Sequence, residues 1–280
     1  IAQKHKRVKL FRFDWCNDFS KARNYALEQA TGDWIVVLDA DERIQDPSNF
    51  RAQLDSGDVD AYFLRCRNLQ PPNSLTTYED DHLLRLFRNH PEYRFSGPIH
   101  EQISPSIREN NGNIALSTSI IIHDGYQSDT VQGSESRRTR NIKLLNRAIT
   151  EHPNDYYYVY HLAVTNQKNN SVQSYQLFEK ALLLGKQDIP VHILEQIHIK
   201  MAQISLEHSN FSRSITEAQR CLNINANNLI AHVCLITAFI SVQGFSLAIP
   251  HLEYVIQSAL DRVPNPNDFL QLYQICSQQG

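Results

Sequence analysis

Hydrophobic and polar positions change their spacing once along this chain. Up to about residue 127 apolar residues come in short runs between polar, Gly- and Pro-containing stretches, and from about Ser128 they recur every three or four residues. In the first part Val8 to Phe13 is strand-like. Asp18 to Ala30 (DFSKARNYALEQA) sets Ala22, Ala26 and Ala30 at i, i+4 and i+8, with Phe19 and Leu27 near the same side, which predicts a helix ended by Thr31-Gly32. Trp34 to Leu38 follows as a short strand, and Asp46-Pro47 as an N-cap and first-turn proline opening another helix. Further strands are predicted at Val59 to Arg65, Leu83 to Arg88 and Ser119 to His123, with Pro71, Pro72 and Asn73 in a loop. This part reads as mixed α/β. Beyond it Ile142, Leu145 and Ile149 keep i, i+3, i+7, and helices alone continue to the end.

The helical part repeats. HSNFSRSITEAQRCL matches VQGFSLAIPHLEYVI, with Phe211 and Phe245, Ser212 and Ser246, and Ile215 and Ile249 each 34 residues apart, the tetratricopeptide period. A looser copy places Leu162-Ala163 in a first helix and Tyr175, Phe178 and Ala181 in a second. Small residues (Ala163, Ala181, Ala202, Ala248) fall where paired helices approach closely. These segments resemble degenerate tetratricopeptide repeats that lack most of the signature Trp, Gly and Pro.

Charge narrows the function classes. Residues 1–127 hold 15 basic and 18 acidic side chains, and residues 128–280 hold 12 of each, so neither part is built for nucleic acid or anionic lipid. The five cysteines are widely spaced without a CxxC, which argues against a disulfide framework or zinc site and makes a reducing cytoplasm the expected home. No apolar run reaches the roughly 18 to 20 residues of a membrane span. The first residue is Ile1 and the only methionine is Met201, so the chain is expected to be cut at its N-terminus.

One stretch carries chemistry. GDWIVVLDADE, Gly32 to Glu42, is a buried-strand pattern ending in three carboxylates. An unpaired buried carboxylate costs several kcal/mol, so Asp39, Asp41 and Glu42 belong where the strand surfaces, near a cation, a partner or water. Ligands of open α/β sheets sit at such strand ends. In an extended segment Asp39 and Asp41 would point to one side, which suits Mg²⁺ or Mn²⁺ bound together with phosphate oxygens. An acidic turn before a helix accounts for the same residues.

The string WCNDFSKARNYALEQATGDWIVVLDADE, Trp15 to Glu42, resembles family 2 glycosyltransferases of the GT-A fold. FRNHPEYRFSGPIHEQI (Phe87 to Ile103) and IIHDGY (Ile121 to Tyr126) are similar to that family too, in a branch with C-terminal tetratricopeptide repeats. The fold implied is α/β plus all-α: an incomplete GT-A domain, Rossmann-like with a mixed sheet, over residues 1–127, then an α-solenoid of helix pairs over 128–280. The resemblance implies sugar transfer from a nucleotide-diphosphate sugar to an acceptor hydroxyl by a metal-dependent inverting displacement. Asp39 and Asp41 would bind Mn²⁺ or Mg²⁺ at the diphosphate, with Asp39 also at the donor. Glu101 would be the general base, and His123 a further metal or diphosphate contact. Arg23 would lie near the nucleotide or its phosphates, and His100 would orient Glu101 or the acceptor. Trp15 and Asp18 have packing and capping as sufficient roles.

Two segments of the family pattern, the "vKNE"-like strand and "DtGStDgT", have no counterpart here, and Ile1 to Arg7 resembles the end of the helix that follows them. The nucleotide pocket is therefore expected to be impaired. A non-catalytic scaffold, with the repeats binding a peptide or protein beside a degenerate α/β remnant, is the alternative. A metal-dependent phosphate-transfer site on another α/β fold would need further carboxylates or a P-loop, and no GxxxxGK[ST] occurs. The acceptor, whether glycan, lipid-linked or protein, is not legible.

Overall fold

The computed structural model describes residues 8–55, 57–70, 77–123, 131–258, 262–263 and 265–279. Expectations for Ile1 to Arg7, for the Pro71 to Asn73 loop and for the end of IIHDGY lie outside those residues. The chain forms two compact units, residues 1–69 with 80–131, and 70–79 with 132–280.

The first unit starts with α1 (Phe19–Glu28), whose N-cap Asp18 accepts from the Lys21 N–H. β1 (Trp34–Val36), β2 (Glu42–Ile44), α2 (Pro47–Phe50) with a 3₁₀ turn (Arg51–Asp55), β3 (Ala61–Leu69), β4 (Tyr78–Arg88), α3 (Ser104–Glu109) and β5 (Ile114–His123) follow. The described sheet runs β1-β4-β3-β5-β2. β3 and β5 are parallel, with β4 and α3 between them in the chain, while β1 pairs antiparallel with β4 and β2 with β5, giving the expected mixed sheet. Alternation puts Tyr62, Leu64, Cys66, Leu86 and Ile121 in one core cluster, and Ala61, Phe87, Tyr93, Phe95, Ile103 and Ile107 in another with Leu27 of α1.

Three sequence expectations change. Val8 to Phe13 is not a strand: among the described residues it has no ladder partner, and Val8, Leu10 and Phe11 remain exposed. Strand-forming side chains need a neighbouring strand to pack against, and Phe13 instead meets Tyr25 of α1 at 5.5 Å between ring centroids. Glu42 to Ile44, where no strand was expected, pairs with β5 as β2. The helix after Asp46-Pro47 lasts one turn before tightening to 3₁₀.

From Val131 on, every named element among the described residues is a helix: α4 (Val131–Glu151), α5 (Tyr156–Asn166), α6 (Ser171–Gly185), α7 (Val191–Glu207), α8 (Phe211–Ile224), α9 (Leu229–Ser241), α10 (Phe245–Ser258) and α11 (Pro266–Gln279). Side chains of Asn170, Asn210 and Asn228 accept backbone N–H groups and start α6, α8 and α9. α5 packs on α6, α7 on α8 and α9 on α10, with Ala163, Ala181, Ala202 and Ala248 fully buried where the helices meet. Thus α5 to α10 form tetratricopeptide-like helix pairs. The step from α8 to α10 is the 34 residues read from Phe211 and Phe245, whereas α6 to α8 takes 40, because α6, α7 and their connection are longer. Within this unit buried Glu217 is answered by His198 at 2.7 Å and Arg220 at 2.9 Å. Among the described residues no helix is long and apolar enough to cross a membrane.

Close approach is most demanding at Gly185, where an added Cβ would meet Ile189 and the Tyr156 ring at 2.8 Å or less. Gly185→Ala is therefore expected to cost the helical unit about 1–3 kcal/mol. Gly244→Ala, whose nearest contact would be an ordinary 3.5 Å, should stay within about 0.5 kcal/mol. Urea unfolding of the two variants followed by helical circular dichroism checks the difference.

Candidate active site

The end of β1 answers the question its carboxylates raise. Asp39 to Glu42 is a turn, not an extended segment: Glu42 N–H donates to the Asp39 carbonyl at 3.1 Å, and Asp39 N–H donates to Glu42 Oε2 at 2.8 Å. The alternation expected to aim Asp39 and Asp41 at one ligand does not apply inside a turn. The two aspartates have different partners.

Asp39 lies between two arginines. Arg23 of α1 donates to Asp39 Oδ1 and Arg85 of β4 to Oδ2, each at 3.0 Å. Arg85 also meets Glu42 Oε1 at 3.0 Å, so the nearly buried Glu42 carboxylate is satisfied by one guanidinium and one backbone N–H. Burial alone would raise the Asp39 pKa, but the Arg23 and Arg85 charges and hydrogen bonds outweigh it and hold it below the usual value.

Arg23 connects this turn to the other half of the site. Its Nε donates to Glu101 Oε1 at 2.8 Å. Partial burial opposes the Arg23 charge, yet Glu101 and Asp39 together raise its pKa. The guanidinium fork suits this bridge because it presents several donors in one plane. Arg23 is thereby committed to carboxylates in this structure. Its neighbour Asn24 donates to the Phe95 carbonyl at 2.9 Å and accepts from the Phe95 N–H at 2.8 Å, fastening α1 to the segment leading to Glu101.

Glu101 sits in a pinched loop. Ser96 and Gln102 exchange backbone hydrogen bonds across it, the Pro98 carbonyl accepts from Phe19 N–H, and Gly97 has φ 98°. His100 also adopts a left-handed φ of 52°, uncommon for a residue with a Cβ. Burial pushes the His100 imidazole down to about 4, so it is neutral at pH 7 and brings no positive charge to a diphosphate.

Asp41 faces His123, the last residue of β5, with Oδ2 3.3 Å from Nε2. His123 Nδ1 contacts Asn68 Oδ1 of β3 at 2.8 Å, and Asn68 Nδ2 donates to Asp81 Oδ2 of β4 at 2.9 Å. The strand register explains the meeting: His123 is the Cα partner of both Glu42 and Asn68, so the three lie in one row across β2, β5 and β3.

Among the described residues no group of three or more His, Cys, Asp or Glu side chains is arranged to hold a metal. Asp41 and His123 nonetheless form a carboxylate and imidazole pair 3.3 Å apart, close to the roughly 3 Å between neighbouring ligands on an ion with bonds near 2.1 Å. Asp39 joins such an ion only by giving up Arg23 or Arg85. Four members of this site were not singled out from sequence: Asn24, Asn68, Asp81 and Arg85. Arg85 had a legible signal, a cation inside the apolar run LLRLF, whereas Asn68 and Asp81 carry no motif or spacing that marks them.

Residues 1–96 match the model of glycosyl transferase family 2. A TPR repeat-containing protein of Synechococcus elongatus is 37% identical over 160 residues, covering 54% of this chain and 38% of that protein. The SPbeta prophage-derived glycosyltransferase SunS of Bacillus subtilis is 26% identical over 144 residues, covering 50% of this chain and 32% of that protein. The chain spans about a third of the length of these curated relatives. Among solved structures, the C-terminal TPR-containing domain of a Plasmodium falciparum FK506-binding protein aligns with TM-score 0.38 and 15% identity, over 51% of this chain and 91% of that one. MamA aligns with TM-score 0.42 and 15% identity, over 53% and 83%.

Because the folded-state pKa of Asp39 is depressed, its stabilisation is present above the ordinary value of 3.8 and lost as pH falls through the lowered one. Asp39→Asn should cost about 1 kcal/mol at neutral pH, the half-exposed position screening part of the attraction. Thermal melts of the two proteins should differ at pH 7 and converge below about pH 4.

Proposed function

We propose that this chain, a family 2 glycosyltransferase segment followed by tetratricopeptide-like helix pairs, belongs to an enzyme that transfers a sugar from a nucleotide-diphosphate sugar to an acceptor hydroxyl. The observation that carries the reading is the convergence of Glu101, Asp39, Asp41 and His123 on one end of the sheet, with Arg23 touching both Glu101 and Asp39. Asp41 and His123 would hold Mn²⁺ or Mg²⁺. When bound, such an ion supplies Lewis-acid stabilisation of a leaving diphosphate.

The chain's own residues account for the rest of an inverting displacement. Glu101, with Oε1 fixed by Arg23, uses Oε2 to take the acceptor proton as the acceptor oxygen bonds to the anomeric carbon. The bond from that carbon to the diphosphate oxygen breaks on the opposite face, and the nucleoside diphosphate leaves. Asp39, immobilised between Arg23 and Arg85, faces the donor, and the neutral His100 holds the loop on which Glu101 stands. A cytoplasmic location would supply both nucleotide-sugar and metal.

A second reading, a peptide or protein partner on the repeats, is favoured by a cavity of about 340 Å³ lined by Tyr175, Glu179, His208 and Arg213 among others. Arg213 lies over the Tyr175 ring at 4.5 Å. This groove would bind a peptide or protein whether or not the first unit is catalytic.

Titration calorimetry of UDP and GDP, with and without Mn²⁺, tests the site. Metal-dependent binding weakened at least about 10-fold by Asp41→Ala is expected. Glu101→Gln should keep that binding and lower transfer by about 10²–10⁴ in the full-length enzyme. Nucleotide binding indifferent to both Mn²⁺ and Asp41→Ala would overturn the metal assignment.

A further inference from the structure

Arg23 holds Glu101 at 2.8 Å and Asp39 at 3.0 Å, so the spacing between α1 and the Glu101 loop has to be closely fixed. Three consecutive residues ahead of that loop, Arg94, Phe95 and Ser96, set it. Each has both its backbone N–H and its carbonyl hydrogen-bonded. Arg94 N–H donates to Ser106 Oγ of α3 at 2.9 Å, and the same hydroxyl donates to the Arg94 carbonyl at 2.9 Å. Phe95 N–H donates to Asn24 Oδ1 at 2.8 Å, and the Phe95 carbonyl accepts from Asn24 Nδ2 at 2.9 Å. Ser96 exchanges both bonds with the Gln102 backbone, at 2.9 and 3.0 Å.

These partners alternate as they do on the two edges of a strand. Asn24 of α1 takes one edge, while Ser106 and Gln102, which follow Glu101 in the chain, take the other. Two side chains thus stand in for neighbouring strands, and chemistry limits which residues can do so. Phe95 needs one donor and one acceptor on a single short side chain, which an amide offers and a carboxylate does not. Arg94 needs a group that accepts and donates at once, which a hydroxyl does. The Ser106 proton also has the Ile103 carbonyl in reach at 3.0 Å, but that carbonyl already accepts from Ile107 N–H. The Phe95 ring, buried 6.0 Å from Phe87, anchors the middle of the segment in the core.

We infer that Asn24 and Ser106 are positioning residues for Glu101. They lock Arg94 to Ser96 into a rail with α1 on one edge and the returning Glu101 loop on the other, so that Arg23 meets Glu101 Oε1 and leaves Oε2 to the acceptor. This rests on the proposed role of Glu101 for its purpose, but the rail is a property of the protein alone.

The Arg23 Nε–H reports on the rail, because its acceptor is Glu101 Oε1. Proton and ¹⁵N NMR read its exchange with water, with the signal identified by its loss in Arg23→Lys and its value without the acceptor taken from Glu101→Ala. Asn24→Ala and Ser106→Ala should each speed that exchange about 10-fold or more, the size expected for losing a hydrogen bond to a charged group, and shift the signal toward that of Glu101→Ala. Leu64→Val, a truncation in the other core cluster, should lower the melting temperature without moving the signal. A merely structural contribution of Asn24 or Ser106 would behave like Leu64→Val.

An Arg23 Nε–H unmoved by Asn24→Ala or by Ser106→Ala in folded protein overturns the inference for that residue. Arg94 and Phe95 amides that exchange in the unaltered chain as fast as in an unfolded one overturn it without any substitution. In the full-length enzyme both alanine variants should lower kcat about 10-fold or more with KM for the nucleotide-sugar unchanged, since they misplace the base without touching the donor. Failure of the functional reading looks different: the Arg23 signal responds as stated while Glu101→Gln leaves transfer unchanged, so the rail stands and its catalytic purpose falls. Transfer that Glu101→Gln abolishes but both alanine variants leave intact keeps the functional reading and removes the role of Asn24 and Ser106.

Discussion

Four carboxylates, Asp39, Asp41, Glu42 and Glu101, are gathered at one end of a small sheet, and their mutual repulsion is the constraint to which the surrounding structure answers. Two guanidinium groups interleave with them: Arg23 between Glu101 and Asp39, and Arg85 between Asp39 and Glu42. Each arginine meets two acids, so no charge in this line is left to water alone. The turn at Asp39, the angle at which α1 meets the sheet and the pinched loop bearing Glu101 all serve that alternation. Asp41 stands outside it, half-exposed and facing His123.

Precision in this arrangement comes from strands more than from loops. His123, Asn68 and Glu42 are neighbours in register on three strands, and Asp81 lies on a fourth. A backbone ladder fixes such positions far more tightly than a flexible connection would. The pieces that do come from loops, Asp39 and Glu101, share Arg23, and backbone hydrogen bonds hold Asp39 itself and the Ser96–Gln102 closure around Glu101. The helical pairs are built on another logic, with small residues at the helix contacts and asparagine caps setting where each helix begins.

Much of the fold was legible. Helical periodicity marked α1 and the helices from α4 to α11, and apolar runs marked β1, β3, β4 and β5, because burial of one face imposes its period on the sequence. The failures share a cause. Val8 to Phe13 has strand residues without a strand beside it, and Glu42 to Ile44 has too few residues to show a period although β5 pairs with it. Strand formation depends on a neighbour that local sequence does not specify.

The sequence by itself determined that a mixed α/β part precedes helical repeats, that an acidic cluster ends a strand, and that Asp39, Asp41, Glu101 and His123 are its chemical candidates. Only the tertiary structure decided who answers whom. Arg23 reaches across 78 residues to Glu101, Arg85 across 46 to Asp39, and His123 across 82 to Asp41. The physical reason is range: periodicity and capping act within a few residues and are written locally, whereas the partner of a buried or half-buried charge is chosen by sheet order and register.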